Sequence, residues 1–173
     1  MPYTPVFDVE KLSSKVLDKT DNVNTFSCKE AEIDEFIHKQ ALGYQQQNLG
    51  VTYVFYFESK LVSFATLCMG TINKRKMAAE DKLAKSIASY PALLIGQLGV
   101  ADAYQHKGIG EHVCDFCFFI ALNLSQNVGC RFLIVNAIDS AVNFYKKYGF
   151  TLAPEQEKQK QKLMFLDITK NRL

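Results

Sequence analysis

The chain has 173 residues, of which 48% are apolar and 22% charged, and its formal net charge is +2. This length predicts a single domain over residues 1–173 that buries a core of its own. No apolar stretch approaches the roughly 20 residues that a membrane helix needs, and the first residues lack the pattern of a signal peptide. Composition therefore excludes a membrane-spanning protein and indicates a cytoplasmic location.

The first part of the chain predicts a helix followed by a β-hairpin. Residues 28–47 have helical periodicity, with Ser27 as N-cap, and these apolar side chains share one face: Ile33, Phe36, Ile37, Ala41 and Tyr44. Residues 52–57 and 61–69 are rich in aromatic and β-branched side chains, which is typical of strands. The polar residues 58–60 between them predict the hairpin turn.

The second part predicts strands that alternate with helices. A polar, partly helical excursion over 73–90 comes first. The predicted elements that follow are a strand at 93–100, a glycine loop at 105–110, a helix at 113–124, a strand at 132–138, a short helix ending at Gly149, a strand that starts at Phe150, and a further strand at 164–168. This order after an antiparallel hairpin indicates the α/β class with a mixed central β-sheet.

Five cysteines are an odd number in a chain without an export signal, so they predict reduced thiols. Cys114 and Cys117 have the spacing of a metal or redox pair. Both lie in an apolar helical run, however, and no second Cys/His pair has zinc-finger spacing. We interpret them as core cysteines and predict no metal site.

The glycine loop is the segment with the clearest functional meaning. Backbone N–H groups at a helix start carry partial positive charge, and Gly108 and Gly110 have no side chain to keep a phosphate away from them. The patterns of dinucleotide-binding and nucleotide-triphosphate loops are absent. The residues predicted to hold a pyrophosphate are Gln105, His106, Lys107, Gly108, Ile109 and Gly110.

Two segments together carry a family resemblance. Gln-x-x-Gly-x-Gly at 105–110 resembles the acetyl-coenzyme A loop of the GNAT N-acetyltransferases. Phe144-Tyr145 with Gly149-Phe150 resembles the second cofactor segment of that family, a helix with an aromatic pair that ends at a glycine. The resemblance covers nearly the whole chain. It implies the GNAT fold with helices on both faces of the sheet, acetyl-CoA as cofactor, and acetyl transfer to a primary amine.

The resemblance also assigns roles to individual residues. Tyr145 occupies the place of the tyrosine that faces the thioester sulfur, and a phenol with a pKa of about 10 can protonate the departing thiolate. Many members carry Asn where this chain has Ile138. Asn136, two residues earlier, is the candidate cofactor contact here. None of the three histidines (38, 106 and 112) can be assigned as a general base.

The backbone of Leu98, Gly99 and Val100 is the remaining predicted cofactor contact, because acetyl transfer needs a donor that polarises the thioester carbonyl. A glycine in a strand often marks a bulge that frees an N–H group, and such a donor can bind pantetheine or the developing oxyanion. The alternative is that Gly99 only accommodates packing of a neighbouring helix. We favour the first interpretation because the glycine loop follows directly.

The acceptor stays open between two classes. One is a small amine or a protein amine. The other is the amine of aminoacyl-tRNA, since a looser resemblance links the chain to the toxin members of toxin–antitoxin pairs. Its features are Phe26-x-Cys28 with Phe36-Ile37 and Ala41, the insertion at 70–91, and Asn136-Ala137-Ile138. That branch implies an antitoxin partner.

RNA binding would need a basic surface. Lysines and an arginine at 74–76, 82 and 85 can provide one, although Glu80 and Asp81 dilute it. A third possibility is a non-catalytic module that binds coenzyme A or a partner. Tyr145 and the intact glycine loop argue against that module.

Self-association into a homodimer is also expected by resemblance. The apolar strand at 163–168 supplies a physical reason, because an exposed edge strand tends to pair.

Overall fold

The computed structural model describes residues 8–83 and 86–170. The strands are β1 Ser13–Val16, β2 Val51–Phe57, β3 Lys60–Asn73, β4 Ser89–Val100, β5 Phe132–Ala137, β6 Thr151–Leu152 and β7 Lys162–Asp167. The α-helices are α1 Ala31–Glu35, α2 Ala41–Gln46, α3 Ile109–Ser125 and α4 Val142–Tyr148.

The strands form one seven-stranded sheet in the order β1-β2-β3-β4-β5-β7-β6. Strands β4 and β5 run parallel, with Leu93 opposite Leu133. Strand β1 pairs antiparallel with β2, and β7 pairs antiparallel with both β5 and β6. The sheet is therefore mixed, as the alternation of strands and helices predicts.

The described residues group into two compact units, each discontinuous in sequence. The first unit comprises residues 8–66 and 97–115, and the second comprises 67–83, 86–96 and 116–170. Strands β3 and β4 contribute residues to both units. The single domain expected from the length stays a prediction.

The helix predicted over 28–47 is interrupted and begins later than expected. A π-helical turn, Phe36–Gln40, separates α1 from α2. Ser27 is not the N-cap; Glu30 precedes α1, and the Ser27 hydroxyl donates to the Asp34 carboxylate at 2.7 Å. A π turn holds more residues than an α turn and so rotates the apolar face. Tyr44 is consequently 41% exposed, whereas the side chains of Phe36, Ile37 and Ala41 are buried.

The hairpin turn is two residues long rather than three. Glu58 and Ser59 have φ values of 46° and 64°, the left-handed conformation that a type I′ turn requires at both positions. Strand β3 runs to Asn73, beyond the predicted end at residue 69. Ile72 explains the extension, because its side chain is 1% exposed and packs in the core of the second unit.

Strand β7 is an interior strand of the sheet. It lies between β5 and β6, and its residues Met164, Phe165 and Leu166 are buried. The prediction that 163–168 form an exposed edge strand is therefore wrong. The sheet instead ends at β1 and at the two-residue β6. The expected homodimer is therefore supported by the family resemblance alone.

The cysteines lie where the apolar pattern places them. All five are thiols, and Cys114 and Cys117 are completely buried in α3, which confirms them as core residues. No group of three or more His, Cys, Asp or Glu side chains in the described part of the chain is placed to hold a metal ion. Across 8–83 and 86–170, no helix has the length and apolarity needed to cross a membrane.

Candidate active site

The glycine loop lies in the first unit, and the side chain of Gln105 anchors it. Gln105 Nε2 donates to the carbonyl oxygens of Cys28 at 3.2 Å and Val100 at 3.1 Å. The backbone N–H of Asp102 donates to the carbonyl of Ser27 at 2.9 Å, and Lys29 forms an ion pair with the Asp102 carboxylate at 2.7 Å. The segment that enters the loop is thus fixed to the chain before α1.

The backbone of the loop turns sharply into α3. His106 and Gly108 have φ values of 59° and 81°, and the N–H of His112 donates to the carbonyl of Gly108 at 3.1 Å. The first amides of an α-helix have no acceptor within the helix, so those of Ile109 and Gly110 point out of its start. The Ile109 side chain is 1% exposed and fixes this end in the core. The geometry fits an anion cradle made of backbone amides.

Gly99 is closely packed on the side where a Cβ would lie. An added Cβ would be 2.9 Å from Phe64, 3.0 Å from Ile33 and 3.1 Å from Phe26. The carbonyl of Gly99 accepts a hydrogen bond from the Ser63 hydroxyl at 2.7 Å. Packing against α1 and β3 therefore accounts for a glycine at this position. Binding of the cofactor by the amides of 98–100 stays a prediction.

Tyr145 lies in α4, in the second unit, and is 5% exposed. Its ring contacts Phe144 and Phe150 edge to face, with centroid distances of 5.0 Å and 5.3 Å. The carbonyl of Tyr145 accepts from the N–H groups of Gly149 and Phe150, and Gly149 has the positive φ predicted for the helix end, 122°. Local packing and the helix cap together fix the orientation of the tyrosine ring.

Asn136 is the one exposed residue of β5 and lines a cavity of about 470 Å³ in the second unit. We call this the amide cavity. Its lining includes Arg75, Lys76, Asn136, Gln156, Gln159 and Gln161. The glutamines carry no recognisable motif, so sequence reasoning missed them. The available signal was their repetition in the polar segment between β6 and β7.

A second cavity, of about 490 Å³, shares Arg75 with the first. We call it the lysine cavity. It is lined by Asn73, Lys74, Arg75, Lys82, Ser86, Ile87 and Ala88. Three of these seven residues are cationic and none is acidic, which makes the cavity suited to anions. The predicted Lys85 contribution lies outside the described residues.

Comparison with known proteins assigns the family. A profile of the acetyltransferase (GNAT) domain matches residues 48–152, more than half of the chain. The chain belongs to the GNAT acetyltransferase family. This GNAT protein is accordingly an N-acetyltransferase that uses acetyl-CoA as acetyl donor, and the fold, activity and cofactor implied by the two sequence segments are confirmed.

The GNAT chain also has similar relatives of described activity. It is 25% identical over 136 residues to a tRNA-acetylating toxin of Mycobacterium tuberculosis, covering 78% of this chain and 81% of the relative. AtaT complexed with acetyl-methionyl-tRNAfMet superimposes with a TM-score of 0.80 at 18% identity, over 92% of this chain and 96% of the other.

A mutant AtaT toxin bound to the C-terminus of the antitoxin AtaR and acetyl-CoA gives a TM-score of 0.74 at 17% identity, over 92% and 95% of the two chains. At these identities the solved structures establish the shared fold.

Proposed function

We propose that the acetyl acceptor is the primary amine of an aminoacyl-tRNA, and that the chain is a cytoplasmic toxin held inactive by an antitoxin protein. The observation that carries this proposal is the unneutralised charge of Arg75 and Lys76, which follow Asn73 in a short turn. Within the described residues, Arg75 and Lys76 take part in no ion pair. The similarity to a tRNA-acetylating toxin agrees with it.

Charge separates the two acceptor classes. A small polyamine or a lysine side chain is cationic, and a surface with unpaired Arg75 and Lys76 repels it. Aminoacyl-tRNA carries its amine on a polyanion, and contacts between cations and phosphates supply much of the affinity of RNA-binding proteins. The same turn therefore attracts one acceptor class and disfavours the other.

The chemistry needs few side chains. Acetyl-CoA supplies the thioester; amides 106–110 bind its pyrophosphate, and the backbone of Leu98–Val100 holds the adjoining arm. The amine nitrogen forms a bond to the carbonyl carbon as the carbon–sulfur bond breaks. The Tyr145 hydroxyl gives its proton to the departing thiolate, and the proton lost by the amine goes to water. An aminoacyl ester amine is more acidic than that of lysine, so no dedicated general base is required.

The test is acetyl transfer from labelled acetyl-CoA to a panel of charged tRNAs, polyamines and lysine peptides. We expect N-acetyl-aminoacyl-tRNA as the main product, with a rate that falls as salt rises. Faster turnover of polyamines or peptides would refute the proposal. Binding of coenzyme A without transfer to any acceptor would instead favour a non-catalytic module.

The antitoxin and the homodimer belong to the same proposal. A neighbouring small gene encoding the antitoxin should abolish transfer when its product is added. Light scattering should give twice the monomer mass at micromolar concentration, and a monomer would remove self-association from the proposal.

A further inference from the structure

We propose that the amide cavity and the lysine cavity divide the recognition of an RNA acceptor between them. The amide cavity reads the unpaired nucleotides at the RNA end, and the lysine cavity holds backbone phosphates. This inference rests on the proposed function, because it assumes that the acceptor is an RNA. It also assigns Asn136 to the acceptor rather than to the cofactor.

The turn that supplies cations to both cavities is held in place on each side. The Asn73 side-chain oxygen accepts from the N–H of Arg75 at 2.8 Å, and the N–H of Lys74 donates to the carbonyl of Ala88 at 2.9 Å. Met77, directly after the turn, is 2% exposed and packs in the core of the second unit. The cations are therefore presented by an ordered backbone, which lowers the entropy cost of binding.

The far side of the excursion is fixed as well. The Tyr90 hydroxyl accepts a hydrogen bond from the N–H of Leu83 at 2.9 Å. Tyr90 is 2% exposed, and its ring lies 5.7 Å from that of Phe132. Lys82, next to Leu83, is consequently held near a fixed point of the core.

The amide cavity contains hydrogen-bonding groups that the fold does not use. Gln156 serves its own loop, because its Nε2 donates to the carbonyl of Pro154 at 3.1 Å and its Oε1 accepts from the N–H of Leu163 at 3.2 Å. The side chains of Asn136, Gln159 and Gln161 make no hydrogen bond to any described residue. Their amides remain available to a ligand.

Side-chain amides and cations recognise different parts of a nucleotide. A primary amide offers a donor beside an acceptor, which matches the edges of bases and allows discrimination among them. Sequence-specific RNA recognition targets unpaired bases, whose edges are accessible. The lysine cavity offers Lys74, Arg75 and Lys82 and no carboxylate, so it fits phosphates of any sequence. Arg75 lines both cavities and can bind a phosphate between the two.

Matched variants separate these tasks. Lys74→Met and Lys82→Met remove a cation from the lysine cavity, and Gln159→Met with Gln161→Met removes hydrogen-bonding groups from the amide cavity at similar volume. Lys19→Met, in the first unit, is the control for loss of one positive charge. All of these residues are at least partly exposed, so the variants should keep the wild-type melting temperature and circular dichroism spectrum.

The measurement is the affinity for uncharged tRNA with its native 3′ end and with its last nucleotides removed, at several salt concentrations. Each lysine variant should weaken both RNAs alike, by roughly tenfold, and reduce the slope of log K against log salt by about 0.7–0.9. The glutamine variant should keep the slope and lose the preference for the native end. Lys19→Met should behave as the wild type.

The other outcomes distinguish failure of the proposed function from failure of this inference alone. Wild-type protein that neither binds nor acetylates tRNA would overturn the proposed function and this inference together. Wild-type protein that acetylates charged tRNA, with variants that do not separate as stated, would overturn only the division of labour. If the lysine variants weaken coenzyme A or an acidic antitoxin but not RNA, the lysine cavity belongs to that ligand, and the inference is wrong.

Discussion

The side-chain amide of Gln105 donates a hydrogen bond to the carbonyl oxygen of Cys28, 77 positions earlier in the chain, at 3.2 Å. The same nitrogen donates to Val100 at the end of β4. The glutamine of the glycine-loop motif therefore positions the loop, whereas the backbone amides after it are the groups that we propose bind phosphate. A residue that looks like a ligand contact in the sequence has a structural task.

Replacement of this glutamine should affect both stability and cofactor binding. Gln105→Glu places a carboxylate against two carbonyl oxygens and removes the donor, at a cost of about 1–3 kcal/mol. We expect a lower melting temperature and weaker binding of coenzyme A by calorimetry. Gln105→Met removes the donor without adding charge and should have a smaller effect. Wild-type values for the glutamate variant would contradict the anchoring role.

Gly110 should be sensitive to any side chain. Gly110→Val places methyl groups beside amides that are proposed to bind pyrophosphate, and loss of one charge-assisted contact costs about 1.5–3 kcal/mol. Calorimetry should give coenzyme A affinity at least roughly tenfold lower. Gly43→Val is the control, because a Cβ added at Gly43 would approach no other part of the chain outside its own helix backbone within 4 Å. Equal affinity in the two variants would place the pyrophosphate elsewhere.

The close packing of Gly99 can be tested with Gly43 again as the control position. Gly99→Ala introduces a Cβ within 3.1 Å of three side chains and should destabilise the fold by about 1–3 kcal/mol. Gly43→Ala, in the open position in α2, should stabilise it by about 0.5–1 kcal/mol. Urea denaturation measures both. The changes in the free energy of unfolding should have opposite signs in the two variants. A stable Gly99→Ala variant would mean that the side chains around Gly99 move apart at little cost.

Tyr145→Phe should keep the fold and cofactor binding but slow the reaction. The variant loses only the hydroxyl that is proposed to donate the proton, and general acid catalysis typically contributes about 10²–10⁴-fold to kcat. Tyr148→Phe is the control, because it removes a different tyrosine hydroxyl from the same helix, and it should turn over at the wild-type rate. Wild-type turnover in Tyr145→Phe would mean that water or another group protonates the thiolate.

Asp167 should contribute to stability in a pH-dependent way. Burial alone would raise the pKa of its carboxyl, but hydrogen bonds from Arg131 and Thr169 outweigh burial and hold the pKa below its usual value. Arg131 donates to both carboxylate oxygens, at 3.0 Å and 2.7 Å. The stabilisation is therefore complete above the unfolded pKa of about 3.9 and is lost as pH falls through the lower folded pKa.

The variant Asp167→Asn should lose about 1–3 kcal/mol at neutral pH and show a weaker loss of stability below about pH 4 than the wild type. Denaturation at several pH values measures this. Glu35→Gln, which breaks an exposed ion pair with Lys39, should change stability little. Parallel pH curves for the wild type and Asp167→Asn would contradict the assignment.

The sequence predicted those parts of the fold that depend on neighbouring residues. Gly108 and Gly110 lie at the start of α3, and Gly149 ends α4, because local backbone conformation decides both positions. The π turn at Phe36–Gln40 was missed, since one extra residue in a turn leaves the composition unchanged. The interior position of β7 was also missed, because strand order depends on pairing between distant segments.

The sequence indicates the candidate site to the same extent. The glycine loop and Tyr145 lie in contiguous motifs. The sequence indicates Asn136 only as a substitute for the asparagine that many family members carry two residues later. The cavity that Asn136 lines combines β5 with the turn at 74–76 and the segment at 154–161. No periodicity links three segments so far apart, so only the fold brings them together.

The interior position of β7 sets an order of events during synthesis on the ribosome. Strand β5 has one side to pair with β7, and β6 can join the sheet only through β7. Neither pairing can form until translation has passed residue 167, although the glycine loop was made some sixty residues earlier. A nascent chain that lacks β7 therefore exposes the apolar edge of β5, a target for chaperones, and its second unit completes only after β7 has left the ribosome.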